Sequence, residues 1–217
     1  MIDFKKNGVL SLFPSLVFRG EVLDEKYLEF LEIEVRKLKE NGQGFDHNRM
    51  VRNADHSAFQ SIDSLQDIEE FADLKEVILD QTQDALDFFQ VVRDDHYISN
   101  MWANITDSNH RHMAHMHPNC FLSGTFYVRT PENCGPIIFT DPRPSARVIE
   151  PDYFSTNDYN SGTCAIIPRA GEMLIWPSWL PHGVEIGESP IGEDRISIAF
   201  NIMLKGKVTG STKALTF

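Results

Sequence analysis

Five of the eight histidines fall in the part of the chain that could do chemistry. Four stand in the run His110-Arg111-His112-Met113-Ala114-His115-Met116-His117, and the fifth is His182. Residues i and i+2 of an extended strand face the same way, so His115 and His117 can reach a single metal ion. His110 and His112 form a second pair of the same kind. Neutral imidazole serves iron, zinc, copper and nickel, so the residue type leaves the metal open. The plainer reading of an isolated pair is a solvated, histidine-rich turn.

The flanks discriminate. Hydrolases with a His-x-His-x-Asp-His signature need an Asp and a further His directly after the pair, where this chain has Pro118 and Asn119. Cupins need a Glu after three or four intervening residues, where Phe121 and Leu122 stand. Non-haem iron sites use two ligands one residue apart and a lone His on a distant strand. His182 meets that requirement, 65 residues after His117 and behind the turn Pro177-Ser178-Trp179-Leu180-Pro181.

A second chemical signal follows in Arg195-Ile196-Ser197-Ile198-Ala199-Phe200-Asn201. Alternation puts Arg195, Ser197, Ala199 and Asn201 on one face and the apolar residues on the other. Arginine is seldom buried without an anion to receive it. A guanidinium with a hydroxyl beside it suits a dicarboxylic acid; an ion pair with a surface acid is the alternative.

These residues need strands to hold them. From about Ile98 short β-rich runs appear: Ile98–Ile105, Leu122–Arg129, Pro136–Thr140, Thr163–Ile167, Glu172–Trp176 and Arg195–Met203. Turn signals such as Asn133-Cys134-Gly135-Pro136 and Pro168-Arg169-Ala170-Gly171 separate them. Short strands with no helix between them predict an antiparallel sandwich or jelly roll. Two amphipathic helices precede them. One is capped by Asp24 and ends at Asn41-Gly42; the other runs from about Ser64 to Phe89 with an acidic outer face. The expected organisation is one domain over 1–217: an N-terminal segment with supporting helices (1–95), a jelly-roll core with the metal site (96–205) and a tail (206–217).

The ordered set of motifs resembles a family. His115-x-His117, Leu122-Ser123-Gly124-Thr125-Phe126-Tyr127-Val128, Ile137-Ile138-Phe139-Thr140-Asp141-Pro142-Arg143, Gly171-Glu172-Met173-Leu174-Ile175-Trp176-Pro177-Ser178-Trp179-Leu180-Pro181-His182 and Arg195-x-Ser197 look like the 2-oxoglutarate- and iron(II)-dependent dioxygenases. The nearest branch is the prolyl-hydroxylase-like 2OG-Fe(II) oxygenases of phages and bacteria. The resemblance covers about 98–203, and more loosely Leu12-Phe13-Pro14. It implies a mainly β fold, a double-stranded β-helix (jelly roll) with supporting N-terminal α-helices. It also implies Fe(II), 2-oxoglutarate as co-substrate and O2, with release of succinate and CO2 as an unidentified substrate is hydroxylated.

Position by position, the resemblance makes His115, His117 and His182 the metal ligands. It assigns Arg195 and Ser197 to the distal carboxylate of 2-oxoglutarate, and Tyr127 and Asn104 to the same pocket. Trp102, Phe126, Trp176 and Trp179 are candidates for its apolar lining. Most of the family carries a carboxylate where this chain has His117. That leaves three possibilities open: a three-histidine site, a carboxylate recruited from Asp141, or zinc in place of iron. A jelly-roll metal-binding or structural protein without oxygenase activity is the alternative function.

Composition sets the outer limits. A chain of 217 residues buries enough surface to fold unaided. No apolar run reaches a membrane span and the N-terminus has no secretory pattern. Cys120, Cys134 and Cys164 are odd in number and lack CxxC spacing, which suits a reducing cytoplasm. The net charge is −12, and residues 61–95 alone hold 11 acidic side chains against two basic ones. Such a surface repels phosphate backbones, so no nucleic-acid partner is expected. The expected partners are 2-oxoglutarate and a primary substrate, with a homodimer compatible.

Overall fold

The computed structural model describes residues 12–46, 58–107, 110–143, 148–149, 151–157, 159–190 and 192–207. The last ten residues of the expected tail lie outside them.

Helix α1 (Glu25–Glu40) begins where the sequence predicts. Asp24 Oδ1 accepts from the backbone N–H groups of Lys26 and Tyr27 at 3.0 and 3.2 Å, satisfying two of the first turn's orphan donors. Glu25 in the first turn and Lys37 and Lys39 in the last suit the helix dipole. Leu31, Val35 and Leu38 are its buried face.

Helix α2 spans Ala72–Phe88 and starts eight residues later than expected. Leu65–Asp67 and Glu69–Phe71 form two short 3-10 turns, with Ile68 extended between them. A 3-10 turn repeats every three residues, so its apolar stripe mimics that of a helix start. Leu74, Ile78, Ala85 and Leu86 are buried along α2.

Two antiparallel sheets make a double-stranded β-helix (jelly roll). The larger has seven strands in the order β1-β9-β6-β11-β4-β3-β2, and the smaller has four in the order β5-β10-β7-β8. The strands of the larger sheet are β1 (Phe18–Glu21), β2 (Gly44–Asp46), β3 (Ala58–Ser61), β4 (Asp95–Thr106), β6 (Leu122–Arg129), β9 (Glu172–Pro177) and β11 (Arg195–Lys205). Those of the smaller are β5 (His112–His115), β7 (Ile137–Thr140), β8 (Thr163–Ile166) and β10 (His182–Val184). The N-terminal segment is therefore more than helices: it adds three strands to the large sheet. Each is only three or four residues long, too short for a visible alternation.

The large sheet has two unlike faces. Met101, Ala103, Ile105, Phe126, Ile196, Ile198, Phe200 and Ile202 are fully buried together with the apolar faces of α1 and α2. The opposite face carries the polar residues of the same strands and looks toward the small sheet. Gly124 serves the packing, because an added Cβ would overlap the Phe200 ring. Among the described residues no helix is long and apolar enough to cross a membrane.

Candidate active site

Strand β11 lies between β4 and β6, so its inward residues are flanked on both sides. Ser197 is opposite Asn104 on β4 and Tyr127 on β6; Ala199 is opposite Trp102 and Thr125; Asn201 is opposite Asn100 and Ser123. Arg195 lies opposite Thr106 at the end of this grid. A cavity of about 510 Å³ sits over it, with the histidines as its far wall.

His115 and His182 are brought together by pairing of β5 with β10, where they are directly opposite. His117 lies two residues beyond the end of β5, where its backbone N–H donates to the Ser178 carbonyl at 3.1 Å. One nitrogen from each of the three rings falls within 4.8 Å of the others, with no other described side chain in the group. The closest approach is 3.0 Å, between Nε2 of His115 and Nε2 of His117.

The outer nitrogens explain why the inner ones are available. His115 Nδ1 lies 2.9 Å from the Met113 carbonyl, His182 Nδ1 lies 3.0 Å from the Leu180 carbonyl, and His117 Nδ1 lies 2.6 Å from Asn201 Oδ1. These oxygens only accept, so each Nδ1 carries the proton and each Nε2 presents a lone pair. Trp176 Nε1 also approaches His182 Nδ1, at 3.2 Å. One nitrogen cannot both donate and accept, and the shorter contact to the acceptor-only carbonyl sets the tautomer. Burial holds His182 down to about 3, with the Leu180 contact opposing and the neighbouring histidines adding to the shift. Burial also lowers His117. Two facing lone pairs on neutral rings repel unless a cation lies against them, so the donor set fits a nitrogen-binding transition metal.

The other end of the cavity is cationic. Arg195 is buried; its Nη1 donates to the Gly135 carbonyl at 3.0 Å, and its Nε has no hydrogen-bond partner. Burial lowers its pKa, the direction expected of a cation taken out of water. An unsatisfied buried guanidinium nitrogen costs on the order of 1–3 kcal/mol or more. Arg195 lines the cavity and pairs with no described carboxylate, so its guanidinium fits an anion that arrives from outside.

Most residues expected from the sequence line this cavity: His115, His117, His182, Arg195, Ser197, Tyr127, Asn104, Trp102 and Trp176. Two lining candidates do not. Phe126 points to the helices, because alternation along β6 sends its neighbours Thr125 and Tyr127 inward instead. Trp179 is about half exposed in the turn before β10. Asp141 is not in the histidine group; its carboxylate oxygens accept from Arg143 Nε and Nη2 at 2.9 and 2.7 Å. His110 and His112 line the mouth, with the His112 ring 4.4 Å from that of His115, but neither joins the group. Phe59 and Gln60 of β3 also line the cavity; sequence reasoning missed them with their strand. It also left Asn201, Ser123 and Ser178 without roles, though the polar face of β11 already marked Asn201.

Residues 100–201 match the family described as "Putative 2OG-Fe(II) oxygenase". Among solved structures, the chain is similar to a prolyl-4-hydroxylase from Pseudomonas putida at 12% identity, covering 88% of this chain and 94% of that one with a TM-score of 0.58. HygX from Streptomyces hygroscopicus, solved with nickel, 2-oxoglutarate and hygromycin B, is 14% identical, with 88% and 83% covered and a TM-score of 0.58. The epimerase SnoN from nogalamycin biosynthesis, described as non-haem and α-ketoglutarate dependent, is 11% identical, with 94% and 91% covered and a TM-score of 0.63. A search of curated proteins finds no match.

Proposed function

We propose that this chain belongs to the 2OG-Fe(II) oxygenases, whose family model matches residues 100–201, and is a non-haem Fe(II)/2-oxoglutarate-dependent dioxygenase. It hydroxylates a primary substrate and releases succinate and CO2. His115, His117 and His182 hold the metal through Nε2. Bound there, Fe(II) supplies the electrons that activate O2 and couple its reduction to oxidative decarboxylation of 2-oxoglutarate. The buried guanidinium of Arg195, which lines the same cavity as the three histidines and has only the Gly135 carbonyl as a hydrogen-bond partner among the described residues, carries this reading. A purely structural jelly roll has no use for an unpaired guanidinium there.

The chain's own groups divide the remaining work. Arg195 takes the distal carboxylate of 2-oxoglutarate in a charge-assisted contact, and Ser197 adds a hydroxyl two residues along the same face. Tyr127 and Asn104 flank Ser197 on the neighbouring strands, so all three stand between Arg195 and the histidines, where the co-substrate would pass. Burial raises the Tyr127 pKa, so its phenol stays a neutral donor. Trp102, Phe59 and Trp176 give the cavity apolar walls that exclude water from the reacting end. The cysteines are free, consistent with a cytoplasmic setting.

The test is succinate formation from 2-oxoglutarate by purified protein with Fe(II), ascorbate and O2. Such enzymes turn over slowly without substrate, so a succinate signal abolished by Arg195→Met and by His182→Ala is expected. No signal from the wild type, with metal and 2-oxoglutarate both bound, would sink the oxygenase reading.

A further inference from the structure

We propose that Asn201, backed by Ser123, is a positioning residue: it locks His117 in the tautomer whose Nε2 lone pair faces His115 and His182, and thereby sets the metal affinity of the site. The inference rests on the three-histidine reading above and adds what orients its odd member.

The three histidines are not held alike. His115 and His182 each have Nδ1 against the carbonyl of the residue two places earlier, Met113 and Leu180. Their tautomers are fixed by the main chain of their own segments. His117 depends on a side chain 84 positions away: Asn201 Oδ1 at 2.6 Å, the shortest of the three contacts. An amide can present oxygen or nitrogen, so its orientation has to be set by further partners.

Those partners surround it. Asn201 Nδ2 donates to Asn100 Oδ1 at 2.8 Å, and Ser99 Oγ–H donates to the same oxygen at 3.1 Å. On the other side, Ser123 Oγ–H donates to Asn201 Oδ1 at 2.8 Å. Ser123 Oγ lies 2.8 Å from Ser178 Oγ and 3.0 Å from His117 Nδ1. With Ser178 donating to Ser123, every donor runs toward Asn201 Oδ1, which is left to accept from His117. Asn201 and Ser123 are 7% exposed or less, so water does not compete for these groups. If both amides were reversed, Asn201 would donate to Nδ1, the ring proton would move to Nε2, and the site would lose a ligand. The direction of this hydrogen-bond chain thus decides how readily His117 offers its Nε2 lone pair to a metal. Groups that orient a ligating histidine in this way typically change metal affinity 10–100-fold when lost.

The experiment uses 15N-histidine-labelled full-length protein and Co(II) as the probe metal. In the metal-free wild type, long-range 1H–15N correlation should place the His117 proton on Nδ1. In Asn201→Ala/Ser123→Ala, which removes both acceptors, an Nε2–H population should appear and the Co(II) Kd should rise about 10–100-fold. Asn201→Asp restores an acceptor and adds a negative charge, so it should keep the Nδ1 proton and bind Co(II) at least as tightly as the wild type. A wild-type His117 protonated on Nε2, or a double variant with unchanged tautomer and Kd, overturns the inference. If the double variant does not fold, Asn201→Asp decides alone: weakened Co(II) binding there overturns it. A wild type that takes up no Co(II) while keeping the Nδ1 proton overturns the metal reading itself, which is a different result.

Discussion

Arg195 offers the sharpest separation of function from stability. It is buried, with one hydrogen bond to a backbone carbonyl and an orphaned Nε. Arg195→Lys keeps the charge but replaces a fork by a point donor. Losing one of two charge-assisted hydrogen bonds costs about 1.5–3 kcal/mol, so the Kd for 2-oxoglutarate should rise by about 10–150-fold. Arg195→Met removes the second as well and leaves the ligand's carboxylate unpaired, so binding should fall below detection in an ordinary titration. The same variant should make the ligand-free protein more stable. Replacing poorly compensated buried charge by an apolar side chain gains about 1–4 kcal/mol in comparable cases, and each kcal/mol is worth about 2–4 °C in a chain of this size. Anaerobic calorimetry with the metal-loaded protein reads the first effect, and thermal melts of the metal-free protein read the second. Arg195→Met that melts below the wild type while 2-oxoglutarate binding is unchanged would refute the reasoning and make the arginine a structural residue.

Three other outcomes follow from the same geometry. His182→Ala should abolish stoichiometric Fe(II) binding, since no other described side chain reaches that position; full metal content by elemental analysis would remove His182 from the ligand set. His182 titrates near 3 when folded and from a usual value of 6.5 when unfolded. Below 6.5 the unfolded chain takes up a proton that the native state refuses, so the metal-free protein should lose stability as pH falls, by about 2 kcal/mol between pH 6.5 and 5. Urea melts of wild type and His182→Gln should show the smaller loss in the variant, and equal losses would mean that another group dominates. Gly124→Ala should destabilise by about 1–3 kcal/mol, because its Cβ would overlap the Phe200 ring and lie 2.8 Å from the Leu174 carbonyl; an unchanged melting temperature would show that the ring can move aside.

What could be read from the sequence was whatever depends on period and spacing within one segment. β6 is observed at its expected limits, Leu122–Arg129, because its alternation is long enough to see. Asp24 capped α1 because an acid before an apolar stripe has few other uses there. The polar face of β11 foretold that Arg195 and Ser197 enter one cavity, and strand periodicity needs no tertiary information to say so. What was hidden depends on pairing. The β1, β2 and β3 strands are defined by their partners rather than by their own residues, so Phe59 and Gln60 came to the cavity unannounced. Phe126 was misplaced because an aromatic residue reads as a wall from either face, and only the parity of β6 relative to Tyr127 decides. Asp141 looked available because a carboxylate near a metal motif always does; its engagement by Arg143, two residues on, was a local turn the sequence left open.

The histidine at position 117 is coherent with the rest of the cavity once its charges are considered together. Three neutral imidazoles give the metal no compensating charge, and burial keeps His117 and His182 from carrying a proton in its place. None of the described residues lining the cavity is an aspartate or glutamate, although the chain holds 32 of them. With a divalent metal and Arg195, the cavity therefore concentrates positive charge inside an acidic protein. Opposite charges interact more strongly away from water, so this arrangement favours a dianion that can lie between the two poles. The dicarboxylate 2-oxoglutarate has that charge distribution, one end for the metal and the other for the guanidinium. In a site with a protein carboxylate, part of that attraction is already satisfied before the co-substrate arrives. Here His117 leaves it unsatisfied, and the network through Asn201, neutral throughout, adds no charge of its own. With His117 as the proposed third ligand, imidazole in place of carboxylate would shift the work of neutralising the metal from the protein to its co-substrate, and would couple the two binding events more tightly than a carboxylate ligand does.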